Sequence, residues 1–332
     1  MTPASLTAAG LSRHQGLALS TPAVVLERPR ELGVRTLNLV PPGPRDVVVE
    51  VQWSGISSGT ERLLYRGTMP PFPGLAYPLV PGYESVGLVT WCGDEAAHEP
   101  GTTVFVPGAR CFEGAEGLFG GAARRLVVDA GRVVPVPAEL GANAVLLALA
   151  ATAHHALQLA GGVAPLIIGH GVLGRLLARL AVIPGEAEAT PPTVWELDPE
   201  RRQPDGAYCV VEPDADPHRG YRSIIDVSGD SGVLNALVDR LAPGGSIVLA
   251  GFYDTPLSFD FAPAFLREAT FKVAAQWQPA DLDAVRRLAV SGALSLDGLI
   301  THREPASRAA HAYTQAFDDP SCLKMILDWS HP

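Results

Sequence analysis

Three glycines near the middle of the chain carry the first recognisable chemistry. Leu166-Ile167-Ile168-Gly169-His170-Gly171-Val172-Leu173-Gly174 is an apolar run leading into G-x-G-x-x-G, after which apolar residues recur at helical spacing. A strand, turn and helix of this kind hold a dinucleotide pyrophosphate. The first glycine permits the tight turn, the second lets backbone approach the phosphates, and the third lets the helix pack against the strand. The unpaired N–H groups of the helix's first turn, around Val172 and Leu173, face the anion. Thr193-Val194-Trp195-Glu196 reads as the next strand. A carboxylate at its end accepts hydrogen bonds from the adenosine ribose and repels a 2′-phosphate. Gly169, Gly171, Val172, Leu173, Gly174 and Glu196 are therefore the expected cofactor residues, with Asp198 as the fallback acid, and NAD is expected over NADP. Glu196 lies slightly beyond the usual spacing of about 20 residues, and the Pro/Gly/Glu-rich stretch 184–192 accounts for the excess as an enlarged loop. His170 reads as incidental to the turn.

Elements must hold this turn in place. From about Ala18 to Pro137 the chain shows short strands between Pro/Gly turns: 47–51, 87–90, 103–106 and 126–128. Apolar residues recur at helical spacing from Asn143 to Leu159. Strands and helices then alternate, with strands expected at 165–169, 193–196, 207–212, 223–228, 245–251 and 271–276. That alternation implies a parallel, doubly wound Rossmann sheet, giving an α/β protein. The segment 280–332 reads as helix, a strand-like Gly298-Leu299-Ile300, and a second helix. Residues 1–15 look like a ragged leader.

At 332 residues the chain is long enough for two domains. It is 47% hydrophobic and 18% charged, which excludes a disordered chain. A net charge of −10, with no Lys/Arg cluster, argues against a nucleic-acid partner. The four cysteines, Cys92, Cys111, Cys209 and Cys322, include no C-x-x-C pair and are expected to be reduced. No apolar run of transmembrane length and no signal pattern is evident, so a cytoplasmic protein is expected.

Five phrases resemble the medium-chain dehydrogenase/reductase superfamily, and the match runs over nearly the whole chain. They are Val80-Pro81-Gly82-Tyr83-Glu84-Ser85-Val86-Gly87, Gly121-Ala122-Ala123-Arg124-Arg125-Leu126-Val127-Val128, Thr152-Ala153-His154-His155-Ala156-Leu157, Leu299-Ile300-Thr301-His302-Arg303 and Leu323-Lys324-Met325-Ile326-Leu327-Asp328. The resemblance implies a chaperonin-10-like, β-rich catalytic domain (18–142), a Rossmann domain (143–279) and a C-terminal return (280–332) that completes the first. The cofactor would lie in the cleft between them. The departures from the family pattern concern its zinc. The ligand positions hold Ser58, Tyr83 and Leu149, and a hydroxyl, a phenol and an alkyl group do not make a tetrahedral N/S site. No metal is expected, unless Glu61, Glu84 and a histidine form an oxygen-rich site.

Without zinc, an alcohol dehydrogenase must handle the substrate proton and the developing alkoxide with side chains. Tyr83 stands at a former ligand position and could donate to the oxygen or pack as a core phenol. Glu84 could be a base or a loop-packing group. Ser58 and Thr60 lie at the family's nicotinamide-facing turn. Thr152 and His155 open a helix facing the cleft, and the His155 imidazole is a candidate base. Leu63-Leu64-Tyr65 and the proline-rich segment 69–81 could wall a flat apolar substrate. Gly55-Ile56-Ser57-Ser58-Gly59-Thr60-Glu61-Arg62 and Tyr65-Arg66-Gly67-Thr68-Met69-Pro70-Pro71-Phe72-Pro73 are similar to one branch of the superfamily. Its members oxidise the 3-hydroxyethyl group of a bacteriochlorophyllide to acetyl, reducing NAD. That branch implies a magnesium-tetrapyrrole substrate, peripheral contact with the photosynthetic membrane and a homodimer. The alternatives are a zinc-free NAD(P)H-dependent enone or quinone reductase, against which Glu196 speaks for the NADPH case, and a non-catalytic NAD-binding protein.

Overall fold

The computed structural model describes residues 19–162, 166–184 and 191–330. The leader and most of the 184–192 loop lie outside the described residues. Nine strands build the first part: β1 (Leu19–Arg28), β2 (Glu31–Leu39), β3 (Asp46–Ile56), β4 (Leu79–Val80), β5 (Ser85–Cys92), β6 (Thr103–Val106), β7 (Glu116–Gly117), β8 (Arg125–Asp129) and β9 (Val134–Pro135). β1 and β2 form an antiparallel hairpin in a four-stranded sheet ordered β2-β1-β4-β7. The inner residues of β1, Ala23 to Leu26, are buried, as is Val47-Val48-Val49 of β3. A short helix, α1 (Thr60–Arg66), follows β3 directly and ends at Gly67 in the left-handed conformation.

The second part is a six-stranded sheet of β10 (Leu166–Ile168), β11 (Thr193–Trp195), β12 (Cys209–Val211), β13 (Tyr221–Asp226), β14 (Leu241–Leu249) and β15 (Thr270–Val273). All neighbours are parallel, in the order β12-β11-β10-β13-β14-β15. This is the doubly wound Rossmann order, which opens a ligand crevice where the winding reverses, at the carboxyl ends of β10 and β13. The expected parallel sheet is present, and its strands fall where the alternation places them. Its helices are α2 (Leu147–Leu159), α3 (Val172–Ala181), α4 (Leu234–Arg240), α5 (Phe261–Leu266) and α6 (Pro279–Val290). α2 packs on α3 and α6 around fully buried Leu147, Ala150, Leu157 and Leu176.

The chain then returns through β16 (His302–Pro305), α7 (Ala309–Asp318) and β17 (Met325–Asp328) to the β-rich half. There β17 pairs antiparallel with β3, Met325 opposite Ile56 and Ile326 opposite Gly55, in a sheet ordered β16-β17-β3-β5-β6-β9 with β8 also on β3.

Two expectations change. Gly298-Leu299-Ile300 is a turn, and its strand starts at His302; Leu299 is apolar because it is fully buried. The helical run Ala138–Leu159 is long and apolar enough to cross a membrane by length and composition, contrary to the expectation that no segment is. It is broken at Gly141, and 67% of its most apolar window is buried inside the protein, as in a core helix.

Candidate active site

The turn after β10 follows from its glycines. Gly169 has φ +97°, a left-handed value that favours glycine. A Cβ on Gly174 would collide with the Gly169 carbonyl, so α3 can start this close to β10 only with glycine there. Gly171 is the N-cap of α3 and brings no side-chain cap, and among the described residues the space beside its Cα is open. The turn therefore offers free N–H groups and room for a pyrophosphate. Both Glu196 oxygens accept backbone N–H groups, from His170 at 2.9 Å and from Asp198 at 2.9 Å. The carboxylate thus braces the glycine turn from the neighbouring strand end.

His170 is not incidental. It is fully buried, with Nδ1 at 2.6 Å from the Arg201 carbonyl and Nε2 at 2.9 Å from the Tyr208 hydroxyl. Burial lowers its pKa, so a neutral ring holds the turn to the 201–208 loop. Arg175 adds its Nε to the His170 carbonyl and an ion pair with Asp205.

A cleft of about 260 Å³ separates this turn from the β-rich half, with Gly171, Val172 and Arg201 on one side and Ser58, Arg62 and Phe317 on the other. Arg62 buries its Nε without a hydrogen-bond partner among the described residues, and burial together with Arg66 lowers its pKa.

The hydroxyl groups gather one layer behind Ser58. β3 ends at Ile56, and the chain turns into α1 through a reciprocal cap. Thr60 N–H donates to Ser57 Oγ at 3.3 Å, and Ser57 N–H donates to Glu61 Oε1 at 3.1 Å. The Tyr83 hydroxyl donates to the same Ser57 Oγ at 2.9 Å. Ser57 is buried while Ser58 is exposed at the cleft, so Ser57, which sequence reasoning passed over, faces Tyr83. Tyr83 is aimed by Gly82, whose φ of +95° lets the turn pass against Ala122. Burial, reinforced by Glu84, holds the phenol well above its ordinary pKa, so it stays protonated.

Beneath lie two carboxylates. Glu84 forms an ion pair with Lys324, both buried, and neither has another polar partner among the described residues. A Cβ on Gly55 would collide with Glu84 Oε2, so glycine at this point of β3 makes the room for the pair. Glu61 accepts the Tyr313 hydroxyl of α7 at 2.6 Å. Burial pushes its carboxyl up to about 7 against the two hydrogen bonds it accepts.

The other expected residues have different partners. His155 Nδ1 lies 3.0 Å from Asp281, which His154 also contacts at 2.7 Å, and Asp281 closes the capping box at the start of α6. Thr152 turns its hydroxyl back onto the Ala148 carbonyl of its own helix at 3.1 Å. Leu173 and Leu149 pack on the core of the parallel half. Leu63 and Leu64 are core residues rather than a wall, and Tyr65 tilts against Phe317. Among the described residues no three His, Cys, Asp or Glu side chains converge as metal ligands. Ser57, Lys324, Tyr313 and Arg62 had no local signal.

Residues 43–138 match the model of the alcohol dehydrogenase GroES-like domain. The chain is 54% identical over 313 residues to the 2-desacetyl-2-hydroxyethyl bacteriochlorophyllide A dehydrogenase of Rhodobacter capsulatus, covering 94% of this chain and 99% of that one. It is also 54% identical over 317 residues to the enzyme of the same name from Cereibacter sphaeroides, with the same coverage. Among solved structures it superposes on L-idonate 5-dehydrogenase from Escherichia coli with a TM-score of 0.82 at 19% identity, over 94% of this chain and 99% of that one. A match at that identity speaks for the fold, whereas the two near-full-length relatives speak for descent. The chain belongs to the bacteriochlorophyllide A dehydrogenase family of the medium-chain dehydrogenases/reductases.

Proposed function

We propose that the protein oxidises the hydroxyethyl side chain of a bacteriochlorophyllide to acetyl with NAD, and does so without catalytic zinc. The observation that carries the chemistry is the Tyr83–Ser57 hydroxyl pair, 2.9 Å apart, where the superfamily's metal would stand. When bound, NAD supplies the hydride acceptor. Gly171 and the free N–H groups of α3 hold its pyrophosphate, and Glu196 holds its ribose end and disfavours a 2′-phosphate. The donor set at Ser58, Tyr83 and Leu149 does not suit zinc, and the Lys324 ammonium already neutralises Glu84.

Tyr83, protonated at every working pH, is a donor and not a base. Its hydroxyl, which otherwise donates to Ser57 Oγ, turns to the substrate oxygen as charge develops there, and the substrate's proton leaves through Ser57 to water at the Ser58 edge of the cleft. Neither Glu84, paired with Lys324, nor His155, paired with Asp281, serves as the base. Glu61 sets the shape of the Ser57 turn from behind. The test is the absorbance of a hydroxyethyl bacteriochlorophyllide mixed with protein and NAD. Conversion to the acetyl chromophore with equimolar NADH is expected. Turnover only in the reverse sense on enones with NADPH, or NADH binding with no turnover, would favour the reductase or the non-catalytic binder.

A further inference from the structure

Tyr83 is the inner member of a row of aromatic rings that the hydroxyl chemistry does not use. Its ring meets Phe119 edge to face at 5.5 Å, and Phe119 meets Phe72 edge to face at 6.1 Å. On the other side Tyr83 lies 6.4 Å from Trp277, which comes from the parallel half. The four rings come from separate segments, and Phe72 at the outer end is the exposed one. Tyr83, Phe119 and Trp277 are half-buried and Phe72 is 39% exposed. Trp277 is held in place from behind, because the next residue, Gln278, caps α6, whose Asp281 is clamped by His154 and His155. Phe119 is fixed by backbone, its carbonyl accepting from Ala109 N–H at 2.9 Å with Gly108 pressed against it. The row therefore starts at the Ser57 hydroxyl, runs outward through Tyr83 and Phe119 and ends at the exposed Phe72 ring.

We infer that Phe72 and Phe119 seat the ring system of the substrate and set a preference for a secondary alcohol carried on a large, flat, apolar ring. This rests on the function proposed above. A small alcohol would reach Tyr83 without touching Phe72. An alcohol on a wide conjugated ring, with its hydroxyl at Tyr83, must lie along Phe119 and reach Phe72. Aromatic faces and edges suit such a ring because they bury apolar area and match its quadrupole without demanding hydrogen bonds. These are specificity-determining contacts, and their loss is expected in binding, not in the bond-breaking step.

The experiment compares wild type with Phe72→Ala and Phe119→Leu, each checked for folding by its melting temperature. The probes are a hydroxyethyl bacteriochlorophyllide, 2-butanol and NADH. KM for the pigment should rise roughly fivefold to tenfold in each variant. For Phe72→Ala, kcat should move less than about twofold, as for loss of uniform binding. KM for 2-butanol and the NADH dissociation constant should stay at wild-type values in Phe72→Ala. An unmoved pigment KM in both folded variants overturns the inference. So does a Phe119→Leu variant that loses kcat alone, since Phe119 would then only position Tyr83. If wild type binds NADH but leaves the pigment unoxidised, the proposed function fails separately. The row is then judged by saturable quenching of protein fluorescence by the pigment. Quenching weakened in Phe72→Ala sustains it, and quenching equal to wild type overturns it.

Discussion

The cofactor turn and the hydroxyl site lie on opposite walls of one cleft and are built in opposite ways. The turn is local: Gly169, Gly171 and Gly174 sit within six residues, and backbone geometry alone gives them their shape. The hydroxyl site is assembled from distant pieces, with Tyr313 reaching Glu61 across 252 positions and Lys324 brought to Glu84 by the pairing of β17 with β3. A local site tolerates much change elsewhere. An assembled one depends on buried polar partners, whose loss leaves a charge or a donor stranded in the core. The hydroxyl side should therefore be the fragile one, and the turn the robust one.

The sharpest test of that contrast is Lys324→Met, which strands the Glu84 carboxylate. A loss of roughly 3–5 kcal/mol is expected, read as a fall in melting temperature and denaturant midpoint. A variant as stable as wild type would mean that Glu84 is neutral in the fold and that no charge pair exists there. Tyr83→Phe is expected next, with turnover lowered by roughly 10²–10³ and NADH affinity held, because one donor to the developing alkoxide is gone while the ring remains. Normal turnover would return Tyr83 to the role of a packing residue.

Glu61 gives a pH test. Its folded pKa of about 7 lies above the ordinary value of 4.5, so the folded state binds its proton more tightly than the unfolded state does. The benefit is full below about pH 4.5 and is lost as pH rises toward 7, by on the order of 3 kcal/mol. Glu61→Gln removes this dependence. Its melting temperature relative to wild type should therefore become more favourable between pH 5 and pH 8, and a pH-independent difference would show that Glu61 does not titrate there. The smallest effect is expected on the robust side. Glu196→Gln keeps an oxygen for the His170 N–H yet removes the charge, so NAD should weaken by no more than about tenfold while NADP gains. A wild type that already prefers NADP would remove Glu196 from the ribose.

Much of the molecule was legible before any coordinates. Strand, turn and helix at 166–177, the acid at Glu196 and the alternation that makes a parallel sheet all depend on near-neighbour spacing, which a linear text records. The choice between Ser57 and Ser58 did not follow from residue type, since both are serines. The end of β3 and the cap of α1 decide which one points inward at Tyr83 and which lines the cleft. His155 is a competent base by chemistry and is held by Asp281 of a helix far along the chain, a partner that no spacing announces. The sequence by itself determined the nucleotide turn and the doubly wound sheet, because backbone conformation and hydrophobic period act over a few residues. Only the tertiary structure decided that Glu84 is neutralised by Lys324, that Glu61 is pushed toward 7, and that four rings from four segments form one row. Burial and long-range pairing set those properties, and neither exists until the chain has folded.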